Sequence, residues 1–210
     1  MTAPSVPAGY DETRHVQAGR MDCHITVGFD QQHRHIPRFL VQLHYQAETD
    51  PVRWRVIARM DHNETSVTGH DVYREGLHVD VDRRGKTTVH LDVPHSSLPP
   101  SRGTVIRACV EYLRREAEYF IDVFESDRSP GRPPNWRPDG GRLTRTLNRL
   151  SLLERRMSHE SPVENALAPE ELSELLADAE GTTVEEIEQG AEEIDIAPPE
   201  EAAVVDVSDE

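Results

Sequence analysis

Leu77-His78-Val79-Asp80-Val81-Asp82-Arg83-Arg84-Gly85-Lys86-Thr87-Thr88-Val89-His90-Leu91-Asp92 alternates apolar and polar residues on both sides of a glycine. A period of two is the mark of a strand with one buried face. Two such runs around a short polar turn make a hairpin, here residues 76–82 and 86–93. Its register follows from the apolar phase. A two-residue loop, Arg84-Gly85, pairs Asp80 with Val89 and mixes the phases. A three-residue loop, Arg83-Arg84-Gly85, pairs Leu77 with Leu91 and Val79 with Val89, and places His78 opposite His90. The second register is expected, since a slip of one residue exposes the apolar set.

The same period recurs upstream. Residues 21–29 carry Met21, Cys23, Ile25, Val27 and Phe29 in phase. Residues 38–46 carry Phe39, Val41, Leu43 and Tyr45, and 53–61 carry Trp54, Val56, Ala58 and Met60. Residues 62–75 are irregular and polar. Downstream, Pro94, Pro99 and Pro100 end strand structure. Apolar residues then recur at three and four over 103–125, which predicts a helix. A proline-rich loop follows over 126–141, and a second helix with an arginine-rich side over 142–157. Strands followed by helices predict an α+β fold: an antiparallel sheet of about five strands with two helices on one face.

Charge divides the chain further. Of 210 residues, 23 are Lys or Arg and 39 are Asp or Glu. Every basic residue lies within 1–158, which is close to neutral, whereas 159–210 holds 18 acidic residues and no basic one. Three regions are expected: a flexible N-terminal arm (1–18), the α+β domain (19–158) and an acidic tail (159–210) with one or two short helices, partly disordered. Within the tail, Thr183 and Glu186 fit a capping box. Basic residues are 22 Arg to one Lys, which, with the acidity, fits a salt-adapted cytosol or a GC-rich genome. No stretch is apolar enough to span a bilayer, no secretory signal is recognisable, and two cysteines are too few for a disulfide scaffold. A cytoplasmic location without membrane contact is expected.

Chemistry is concentrated in the polar phases of the strands. They carry His24, His44, Arg55, Arg59, Asp61, His78, Asp80, His90 and Asp92, with His62, His70 and Asp71 in the adjoining loop. Residues two apart share a face, so these groups are expected to gather opposite the helices. Imidazoles give and take protons near neutrality, and arginine grips phosphate. Such a face can cleave RNA by taking the proton of a 2′-hydroxyl, stabilising the charged phosphorane and protonating the leaving oxygen. The bland alternative is a wetted sheet face that must be polar in any case. His78-Val79-Asp80 and His90-Leu91-Asp92 can also supply a mixed imidazole–carboxylate metal site, although no spacing matches a specific metal signature. No phosphate-cradling glycine loop is present, and no cofactor is expected. In the proline-rich loop, Trp136 and Arg137, together with Arg55 on the third strand, are candidates for stacking on and pairing with RNA.

Arg59-Met60-Asp61-His62, Gly69-His70-Asp71-Val72-Tyr73 and Leu77-His78-Val79-Asp80 together resemble the TumE-like family of small toxins from toxin–antitoxin pairs, over about residues 38–125. Members have a strand ending in Arg-x-Asp, a polar loop and a histidine-rich strand before a long helix. The resemblance implies a growth-inhibiting protein that acts on RNA and is neutralised by a cognate antitoxin. It implies Arg59 as a phosphate ligand, Asp61 as the group orienting a histidine, and His70 and His78 as acid and base. Asp71, Asp80 and His90 would support them. A non-catalytic module that binds a protein partner through its helices and tail is the rival reading, and a metal-dependent phosphoesterase a further one.

Overall fold

The computed structural model describes residues 3–125, 163–199 and, for backbone alone, 203–205. Among these residues six strands follow one another in a meander, each hydrogen-bonded antiparallel to the next. They are β1 (Glu12–Val16), β2 (Cys23–Asp30), β3 (Arg38–Thr49), β4 (Val52–Asn63), β5 (His78–Arg83) and β6 (Lys86–Asp92). A short strand, β7 (Ala203–Val205), pairs with the free edge of β6. The described helices are α1 (Val72–Glu75), α2 (Arg102–Arg115), α3 (Ala117–Glu125), α4 (Pro169–Glu180) and α5 (Val184–Glu193). The class is α+β, as the order of elements requires.

One face of the sheet is apolar and fully buried, with Ile25, Val27, Phe39, Val41, Leu43, Met60, Val79 and Leu91 at its centre. The predicted helix over 103–125 covers it in two pieces, α2 and α3, divided at Glu116. Val105, Ile106, Cys109 and Leu113 of α2 and Phe120 of α3 are each buried completely.

The hairpin departs from the expected register for an instructive reason. Val79 pairs with Leu91 and Val81 with Val89, but Arg83 pairs with Lys86, so the turn is the two-residue Arg84-Gly85 after all. Gly85 takes a left-handed φ of 70°, which glycine adopts without penalty. An irregularity between Val81 and Arg83 absorbs the odd residue and restores the apolar pairing. As a result Asp80, rather than His78, lies opposite His90. A bulge also explains Trp54. Leu43 pairs with Ala58 but His44 pairs with Val56, leaving Ile57 as the extra residue. The phase of β4 flips there, and Trp54 leaves the expected core position for the polar face, where its ring lies 6.4 Å from that of His24.

The arm expected over 1–18 is in part a strand. β1 pairs with β2 from Glu12↔Phe29 to Val16↔Ile25. Its alternation is invisible because Val16 alone is fully buried, as befits an edge strand. Ahead of it, Pro4 and Pro7 are buried, and Tyr10 sits over Gly28, where a Cβ would approach the ring to 2.8 Å.

The acidic tail carries the two short helices expected of it, and they are docked rather than solvated. α4 and α5 pack against α2 and against each other, with Leu172, Leu176 and Ile187 fully buried. Glu180, at the end of α4, accepts hydrogen bonds from Ser101 Oγ and from Arg102 N (2.9 Å), tying the tail to the start of α2. The capping box of Thr183 and Glu186 opens α5 as predicted. Burial of the leucines and isoleucine, about 2 kcal/mol each, holds these helices in place despite their charge. The proline-rich loop, the helix over 142–157, Trp136 and Arg137 lie outside the described residues.

Candidate functional site

The polar face opposite the helices has two parts, set by how the strands pair. β4 and β5 are bonded only at Ala58↔Val81 and Arg59↔Asp80. Beyond that point they part, and the chain between them loops out and returns. Asn63 N donates to His70 O (2.6 Å), which brings His70 back to the opening. Gly69 permits this return, since a Cβ there would stand 2.3 Å from Asn63 O.

Three imidazoles meet at the opening. The rings of His70 and His78 lie edge to face with centroids 3.8 Å apart, and those of His78 and His90 are 4.0 Å apart. Carboxylates surround them. His78 Nε2 faces Asp61 Oδ1 at 3.7 Å, and His90 Nδ1 is 2.9 Å from Asp80 Oδ1. His90 Nε2 lies 3.9 Å from Asp92 Oδ1, and His70 Nδ1 is 3.3 Å from Glu75 Oε2. Arg59 grips Asp80 Oδ2 through Nε (2.8 Å) and Nη2 (2.7 Å). The cluster is reachable from solvent: His78 is only 7% exposed, but His90 is 27% and Arg59 52% exposed. His78 Nδ1 and His70 Nε2 are buried and have no hydrogen-bond partner.

Electrostatics follow the packing. Burial raises the Asp61 carboxyl, but the hydrogen bond with His78 and the charges of His78, His70 and Arg59 outweigh it, and its pKa is held below the usual value. Burial, then the neighbouring His78 charge, pushes His70 down. Tyr10 of the N-terminal segment lies near enough to feel Asp61 and Arg59, and burial raises its pKa.

The expected site is therefore brought together at Arg59, Asp61, His70, His78, Asp80 and His90. Two of the expected residues stand elsewhere. Asp71 caps α1, its carboxylate accepting from Tyr73 N (3.0 Å), because a short polar side chain before a helical turn satisfies a free N–H. Arg55 pairs across with Tyr45, whose ring packs on Phe124 of α3, so the bulge at Ile57 carries it to the helix-bearing side. Glu75 and Tyr10 were not expected: Glu75 is folded back onto His70 by the single turn of α1, and Tyr10 arrives through a tertiary contact.

The other histidines singled out above do not join this cluster among the described residues. His24 and His44 share its face but lie farther along β2 and β3, buried completely or nearly so. His15 Nδ1 is 2.9 Å from His24 Nε2, and His44 Nε2 is 2.8 Å from Thr26 Oγ1. Burial, reinforced by neighbouring imidazoles, lowers His24 to about 3 and His44 to about 4. His62 lies in the core on the other face, against Phe39 and Tyr73, and its Nδ1 accepts from Val72 N.

Residues 11–130 match the model of a protein family described as a domain of unknown function, DUF7718; the span covers β1 through α3 and the whole histidine cluster. Comparison with curated proteins gives no match, and comparison with solved structures gives none.

Proposed function

This chain belongs to the DUF7718 family, and we propose that it acts on RNA, cutting phosphodiester bonds at the histidine cluster as the toxin of a toxin–antitoxin pair. The observation that carries this reading is the meeting of His70, His78 and His90 with Asp61 and Asp80 at one spot open to solvent. The resemblance to TumE-like toxins supplies the substrate class and the expectation of a neutralising antitoxin. In the reaction the 2′-oxygen of a ribose attacks phosphorus and the bond to the 5′-oxygen breaks. The proton of the 2′-hydroxyl ends on the departing oxygen, leaving a cyclic phosphate and a 5′-hydroxyl. Cleavage needs a proton carrier and positive charge beside the phosphorane, and an imidazole cluster offers both. Arg59 contributes less than a free arginine would, because Asp80 already engages two of its nitrogens.

The rival reading, a non-catalytic module that binds a partner through helices and tail, has less surface to work with. The apolar residues of α4 and α5 are already committed to α2. Induced expression separates the two. Wild-type protein should arrest growth and shorten cellular RNA, and purified His78→Ala should cleave at least about 100-fold more slowly. His78 is buried, so His90→Ala, at a more exposed position, is tested beside it with thermal midpoints for both. Wild-type expression that leaves growth and RNA untouched overturns the proposal.

A further inference from the structure

We infer that His78, Asp80 and His90 form a binding site for a divalent transition-metal ion of the zinc class. Each offers one ligand atom, and these atoms all lie within 4.8 Å of one another. Around a tetrahedral ion with bonds of about 2.0–2.1 Å, ligand atoms stand about 3.3 Å apart. The 2.9 Å between His90 Nδ1 and Asp80 Oδ1 already approaches the spacing of two ligands on a common ion. Small side-chain rotations bring in the third.

Three further observations point the same way. The first is the orphaned nitrogen. His78 is 7% exposed, and its Nδ1 is buried without a hydrogen-bond partner. A buried polar atom left unpaired is costly, and such atoms in folded proteins call for a partner. The second is the set of groups behind the ligands. Metal-bound imidazoles commonly turn their other nitrogen to a carboxylate, which fixes the tautomer and the ring. His78 turns Nε2 to Asp61 (3.7 Å), and His90 turns Nε2 toward Asp92 (3.9 Å). The third is the division of labour on Asp80. Arg59 holds Oδ2 while Oδ1 faces His90, so one oxygen is oriented and the other is directed into the cluster. No such arrangement surrounds His15, His24 and His44, whose contacts are to one another, to Thr26 and to Trp54.

Two imidazoles and one carboxylate leave an ion with an open position, the pattern of a reactive rather than a structural centre. His70, edge-on to His78 with its own Nε2 buried and unpartnered, borders the same space and is not consumed by the ion. The ion's role in cleavage rests on the RNA reading above: it would draw charge from a phosphoryl oxygen as a Lewis acid. Its binding does not rest on that reading.

Full-length protein stripped with a chelator and titrated calorimetrically with Zn2+ should take up one ion per chain. His90→Ala and Asp80→Asn should each weaken uptake at least about 100-fold, and Asp61→Asn, behind His78, about 10-fold or more. Zn2+ should raise the thermal midpoint of the wild type and leave that of His90→Ala unmoved. Co2+ in place of Zn2+ should give a visible absorption band that His90→Ala lacks. Uptake that is absent, or undiminished in His90→Ala, overturns the site. RNA cleavage at full rate in excess chelator removes the ion's role while sparing the RNA reading. Saturable uptake by protein that leaves RNA intact supports the ion and removes the RNA reading.

Discussion

His24 and His44 show how much a side chain's meaning depends on what covers it. Both occupy polar positions of their strands, yet both are buried, in contact with His15 and Thr26. An unfolded histidine takes up its proton near pH 6.5, whereas these do so only near 3 and 4. In the window between, the unfolded chain binds more protons, so stability is complete above about pH 6.5 and falls as the pH drops toward those values. His62 and His70, also held down by burial, add to the same slope. Each tenfold difference in proton affinity is worth about 1.4 kcal/mol. The urea midpoint should therefore decline between about pH 6.5 and 5.5, above most of the range in which unfolded carboxylates titrate. His44→Gln, which can keep a hydrogen bond to Thr26, should flatten that decline. A wild-type midpoint constant over this range would contradict the burial of neutral imidazoles.

The loop between β4 and β5 decides whether a polar face becomes a site. A continuous ladder would leave Asp61 and His78 as an ordinary cross-strand pair with no room for a third group. Instead pairing stops after Arg59↔Asp80, and the returning chain sets His70 against His78. That return depends on the close approach of Gly69 to the backbone of Asn63. Gly69→Ala should push the loop outward, cost about 1–3 kcal/mol, and slow any cleavage at the cluster by displacing His70. Calorimetric stability and an RNA assay on the same preparation check both parts, and an unchanged melting point would show that the loop is not wedged. The bulge at Ile57 has an equally local cause and an equally large effect. It moves Trp54 to the polar face and Arg55 away from it.

Among the described residues, helices cover one face of the sheet, and two further helices pack on α2. These two come from the segment richest in negative charge. Leu176→Ala should cost about 2–5 kcal/mol in urea unfolding, the usual penalty for emptying a closed core position, whereas a merely solvating tail would lose nothing. Most strand phases, the helical stretch over 103–125 and the α+β class were legible in the residues because alternation and three-four spacing are local consequences of one-sided burial. So was most of the cluster, since Arg59, Asp61, His78, Asp80 and His90 fall in polar phases of strands that pair, and His70 stands in the adjoining loop. Which of these would touch was not legible. Contact depends on register, and register depends on bulges, whose extra residue carries no signature in the alternation. The edge strand β1 and the docked tail escaped for a related reason: each owes its place to a surface contributed by distant residues. Periodicity records which side of an element is apolar, whereas only three-dimensional packing supplies what that side meets, and it is that meeting which gathered three imidazoles and left Asp71 and Arg55 outside.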